Sequence, residues 1–243
     1  MGSAILNFDN FLGGELTLIP KSKLAAPAKR YYGVKFLPIF ALLALQFNLT
    51  EQIVVPRYWV SSPLDQAIPF LPVFAVPYVL WFAYIAAGLI FLMLTDQQLF
   101  VKTQMYLYLG YEIALLVCLI FPHGQPLRPD MSEYPVNIFT DMVRHIYAND
   151  TNTNCLPSIH VLNQLAIHFG LCRSQPFRKH KWIKYTSFIF SALVCASTVL
   201  IKQHSIMDVV AALPVSFICY QLVFRVDWGK MKARVFKKTA VAK

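Results

Sequence analysis

The chain is built around apolar runs close to 20 residues long, and that length decides the solvent it folds in. About 20 residues of helix cross the hydrocarbon core of a bilayer. Six such segments lie near Val34–Leu49, Pro72–Leu94, Thr103–Phe121, Ile159–Cys172, Trp182–Ile201 and Ile206–Phe224. The fourth is short and carries Asn163, Gln164 and His168. Only 14% of the 243 residues are charged, where a soluble domain carries about a quarter. The expectation is an all-α, integral membrane six-helix bundle. Its domain covers residues 34–225, between an N-terminal segment over 1–33 and a basic tail over 226–243.

Lys and Arg set the orientation. With both termini cytoplasmic, all but four of the 22 basic residues fall inside. The four outside are Arg57, Arg128, Arg144 and Lys202. This also accounts for the net charge of +10, which faces anionic headgroups and needs no nucleic acid partner. No basic residue precedes Lys21, so the start does not read as a signal peptide. The stretch AILNFDNFLGGELTLIP reads as a surface-lying segment or a loose tail. Five scattered cysteines without CxxC spacing suggest neither a zinc site nor a disulfide framework.

Two outer connections are long. Thr50–Leu71 contains SSPLDQAIPFLP, whose prolines suit a shaped loop, and Pro122–Ser158 is rich in turn formers. The third, around Lys202–Ser205, is very short. The unusual polar residues gather at these ends: Arg128, His160, Lys202, His204 and Asp208. In KQHSIMD, His204 and Asp208 are four apart and share a helix face. The carboxylate can hold one imidazole nitrogen and leave the other as a lone pair, so the histidine can be a nucleophile. In CLPSIH, proline and serine mark a helix start, whose N–H groups favour an anion. His160 would stand beside that anion as an acid, with Ser158, Arg128 and Lys202 as phosphate-binding groups. A structural buried pair, or a metal site of His160, His204 and Asp208, also fits these residue types.

Pro157-Ser158-Ile159-His160 resembles the second motif of the type 2 phosphatidic acid phosphatase (PAP2) superfamily. Ser197, His204 and Asp208 resemble its third motif, and Arg128-Pro129 the end of its first. The resemblance implies His204 as nucleophile, Asp208 as its orienter and His160 as general acid and then base. It also implies phosphate binding by Arg128 and Ser158, no cofactor and no metal. Two cations of the family pattern are replaced, by Phe121 and Thr198; Lys202, Arg144 or His123 would have to compensate. The sequence is closer to the divergent bacterial-type branch. The implied activity is a lipid phosphate phosphatase, taking a phospholipid or isoprenoid phosphate in a bacterial plasma membrane from the outer face. A head-group phosphotransferase sharing the phosphohistidine is the alternative, and a transporter or channel the third reading. Asn163, Gln164 and His168 are expected to form interhelical hydrogen bonds, and Glu112 to be a buried, hydrogen-bonded carboxyl.

Overall fold

The computed structural model describes residues 31–227, with two short paired strands before them, β1 (Ile5–Leu6) and β2 (Leu18–Ile19). Most of the expected surface-lying segment and basic tail lies outside the described residues. Among the described residues, five stretches are long and apolar enough to cross a bilayer: Tyr32–Ile53, Pro72–Thr95, Gln97–Ile120, Lys181–Leu200 and Ile206–Arg225. The chain is a mostly helical, multi-pass membrane protein.

The elements follow local chemistry. Helix α1 (Pro38–Ile53) begins on a proline, whose missing N–H costs nothing at a first turn. After β3 (Tyr58–Trp59) comes the short α2 (Pro63–Ala67), closed by a reciprocal cap between Ser62 and Asp65. Helices α3 (Ala75–Thr95) and α4 (Gln97–Ile120) meet at Asp96, whose carboxylate caps α4 through Leu99 N–H at 2.9 Å. Then follow β4 (His123–Gly124), α5 (Ile138–Asn149), α6 (Ile159–Arg173), α7 (Gln175–Lys179), α8 (Lys181–Leu200) and α9 (Ile206–Tyr220), the last extended by a wider turn over Gln221–Arg225.

Helix α6 is the fourth expected span. It has 15 residues and falls short of a spanning length. Its position explains its composition. It packs against α3, α4, α8 and α9, so protein rather than lipid surrounds it. Gln164 Nε2 donates to Ser191 Oγ at 3.0 Å, and His168 Nδ1 meets Ser187 Oγ at 2.8 Å. Both bonds join α6 to α8. Two glycines allow the close approach: a Cβ on Gly88 would run into Ile167, and one on Gly170 into Thr103. Glu112 corrects the expectation. It is exposed on α4, because the buried face of that helix runs through Thr103, Tyr106, Leu107, Gly110, Ala114 and Cys118.

The connections 54–74, 121–158 and 201–205 meet at one end of the bundle and are stitched together. Tyr58 and Trp59 pair in parallel with His123 and Gly124, Gly124 bridges Thr153, and Leu71 N–H donates to Leu200 O at 2.9 Å.

Candidate active site

Two helix starts carry the site. Ser158 caps α6, and Ser205 with Asp208 forms a reciprocal cap on α9. Ser158 N–H donates to Asp208 O at 3.1 Å, so the two starts are tied by backbone. The turn before α9 is left-handed at Lys202, with φ of 55°, a conformation unusual for a side chain with a Cβ. Gln125 Nε2 holds it through the carbonyls of Lys202 and Gln203, at 2.9 and 3.1 Å. Thr198 O accepts the N–H groups of Gln203 and His204, at 3.0 and 2.9 Å.

On this frame Asp208 Oδ2 accepts from His204 Nδ1 at 3.1 Å and from Ser205 N–H at 3.0 Å. With the Nδ1 proton committed, His204 Nε2 keeps the lone pair. Two groups converge on that nitrogen: His160 Nδ1 at 3.2 Å and Ser158 Oγ at 3.4 Å. The His160 ring lies against Trp81 and Tyr78, with centroids 4.4 and 4.6 Å away. Tyr78 in turn donates to Asp150 Oδ2 at 2.6 Å. His160 and both aromatic rings line a largely apolar cavity of about 560 Å³, shared by α1, α3, α4 and α5.

The structure therefore joins His160, His204, Asp208 and Ser158. It places Arg128 and Lys202 differently. Arg128 lies one layer back, over the Tyr147 ring at 4.3 Å. It donates to Tyr147 O at 3.1 Å, to Gln203 Oε1 at 2.7 Å and to Asp150 O. Its Nε is buried without a partner among the described residues. Lys202 Nζ donates to the carbonyls of Asp65 and Ile68, at 2.6 and 2.5 Å. Both cations thus hold the loops around the histidines. The other substitutes for the two replaced cations are also engaged. His123 uses Nδ1 on Phe121 O and Nε2 on Leu156 N–H, at 2.6 and 2.7 Å. Arg144 bonds Asp141, Thr140 and the carbonyls of Met131 and Tyr134. Ser197 turns its hydroxyl back to Val194 O at 2.7 Å. Phe121, where the family pattern has lysine, stacks on Tyr58 at 4.6 Å.

Asp65 is the residue that sequence reading missed. It is 2% exposed. Its Oδ2 accepts from Ser62 N–H and Ser205 Oγ, both at 2.7 Å, and its Oδ1 from Ile206 N–H at 2.8 Å. A carboxylate from the first long connection thereby grips the start of α9. The only hint was the S-P-x-D spacing of a helix cap in SSPLDQ.

Cys155, His204 and Asp208 bring a thiol, an imidazole and a carboxylate within 4.8 Å of one another, the donor set of a thiophilic divalent ion. Burial pushes the Cys155 thiol well above its ordinary range, and a coordinated cation would act in the opposite direction.

Residues 122–232 match the family model of the PAP2 superfamily. That match supports membership of the superfamily. The matched segment contains Ser158, His160, His204 and Asp208, and leaves out Asp65 and the aromatic wall of Tyr78 and Trp81. Membership supports a phosphatase or phosphotransferase chemistry on a lipid phosphate in a membrane. No curated protein and no solved structure matches the chain.

Proposed function

We propose that the protein is a membrane lipid phosphate phosphatase working through a phosphohistidine on His204. The observation that carries the reading is the line from Asp208 through His204 to His160, ending in an apolar cavity. Asp208 holds Nδ1 of His204, and Nε2 attacks phosphorus. The bond from phosphorus to the lipid oxygen breaks, and His160 gives that oxygen its proton. Water then attacks the phosphohistidine, His160 takes the proton back from the water, and the bond from phosphorus to Nε2 breaks to release phosphate. An entering phosphoryl group takes the place of the contact between the two histidines. Ser158 and the free N–H groups at the start of α6 receive its oxygens, and Arg128 supplies positive charge from behind. The cavity beside Trp81 and Tyr78 suits the first part of an acyl or prenyl chain.

The same reading keeps α6 as a sixth, inner crossing element and puts the histidine end of the bundle outside, as the distribution of lysine and arginine supports. The test is rapid quench of purified protein with labelled phosphatidate and prenyl phosphates. Acid-labile, base-stable label on His204 with release of inorganic phosphate is expected. A His204→Ala protein that still traps label on histidine, or that releases phosphate at the wild-type rate, refutes the mechanism. Transfer of the label to an added lipid alcohol in preference to water identifies a phosphotransferase instead.

A further inference from the structure

At the end of the bundle opposite the histidines, a cavity of about 500 Å³ lies between α6, α8 and α9. Arg173 stands 13 positions after His160, about 20 Å along α6 at 1.5 Å per residue, so this cavity is separate from the candidate active site. One part of its wall is apolar. Leu213 and Phe217 are 52% and 61% exposed and continue the wall outward on the lipid-facing side of α9. The other part is cationic: Arg173 and Lys184 line it, with no carboxylate among the described residues.

The two cations are prepared differently. The Arg173 guanidinium lies 4.5 Å from the ring centroids of both Tyr220 and Phe224. It donates to Tyr220 Oη at 2.6 Å and to Phe169 O at 3.5 Å. These partners are neutral. They fix the guanidinium while leaving further N–H donors for an anion. Lys184 is exposed and makes no hydrogen bond among the described residues. A planar fork held in place beside a mobile point charge suits a phosphate group.

We propose that this cavity binds an anionic phospholipid of the surrounding leaflet. Its phosphate sits between Arg173 and Lys184, and one acyl chain lies along Leu213 and Phe217. The apolar side of the cavity, continuous with the lipid-facing surface, favours a lipid over a soluble phosphate. The nucleophile is at the other end of the bundle, so the bound lipid is a structural ligand and not a substrate. It links α6, α8 and α9 where the basic segment 173–184 crosses between them.

The test uses the full chain in neutral detergent, with thermal midpoints measured against rising phosphatidylglycerol, phosphatidylcholine or glycerol phosphate. Phosphatidylglycerol should raise the wild-type midpoint by several degrees in a saturable way, as expected for a ligand of the folded state, and the other two should not. Lys184→Gln removes a charge without removing a hydrogen bond and should lose most of the shift, as should Arg173→Gln. Lys179→Gln, exposed and outside the cavity, should keep it. Equal shifts with phosphatidylcholine or with glycerol phosphate overturn the proposal. So does a full shift in Lys184→Gln, or its equal loss in Lys179→Gln, which would mean diffuse surface charge. None of these readouts depends on phosphatase activity.

Discussion

Removing the Asp65 carboxylate should weaken the fold and the chemistry together, although Asp65 touches neither histidine. Its two oxygens accept three hydrogen bonds, two of them from the first residues of α9. Asp65→Ala leaves Ser205 Oγ and the N–H groups of Ile206 and Ser62 without that acceptor in a buried setting. Hydrogen bonds to a charged group contribute about 1.5–3 kcal/mol each, and such losses are not additive. A total near 3–5 kcal/mol is reasonable for the alanine variant. At roughly 2–4 °C per kcal/mol for a chain of this size, the midpoint should fall by on the order of 10 °C. Asp65→Asn can keep the Ser62 and Ser205 bonds through its oxygen but turns an amide toward Ile206 N–H, so about half that loss is expected. His204 immediately precedes the gripped residues, and a misplacement of about 1 Å can cost 10²-fold in rate. Single-turnover formation of the phosphoenzyme at saturating lipid phosphate should therefore slow by roughly 10- to 100-fold in Asp65→Ala, with less effect on half-saturation. Asparagine should fall between alanine and wild type in both assays. An alanine variant with the wild-type midpoint and rate would show that the grip on α9 does no positioning.

Asp208→Asn should lower the rate of phosphoenzyme formation by several powers of ten, since an amide can no longer select the tautomer with a free Nε2; single-turnover kinetics at saturating lipid check this. His160→Ala should cost about 10²–10⁴-fold for a poor leaving group and much less for an acidic one, as compared with paired alkyl and aryl phosphates. Trp81→Ala enlarges the cavity beside His160 and should raise half-saturation more for long-chain than for short-chain lipid phosphates. Chelation should leave turnover unchanged, as should Cys155→Ser, and activity restored to a chelated sample by one divalent ion would revive a metal site at Cys155, His204 and Asp208.

The sequence was most legible where one local rule decides the outcome. The pairing of His204 with Asp208 was legible from their spacing, and they meet at 3.1 Å, although His204 lies two residues before α9 and the capping turn at Ser205, not a shared helix face, brings them together. The long apolar helices were legible because lipid selects for hydropathy. Helix α6 was harder. Protein surrounds it, so its composition answers to Ser187 and Ser191 rather than to lipid. Glu112 was misjudged because an acid within an apolar run looks buried until the phase of the helix is known. Arg128 and Lys202 could be counted as cations at the right end of the bundle. Sequence could not show that backbone carbonyls from distant loops would engage them. Asp65 lies 140 residues from Ser205, whose hydroxyl it accepts, and a lone loop acid gives no sign of such a distant partner.

The inner place of α6 also bears on how the chain is assembled. Its polar side is matched by hydroxyls on α8, and its start is joined to Asp208 O of α9. Both partners are synthesised after it. A nascent chain that ends near His180 lacks the native hydroxyl partners of Gln164 and His168 and leaves His168 only Cys172 Sγ, at 3.5 Å, at a point where water is scarce. Biogenesis therefore has to keep this segment at the translocon, or at the bilayer surface, until residues 181–208 arrive. Its insertion and the completion of the histidine pair then become one late event.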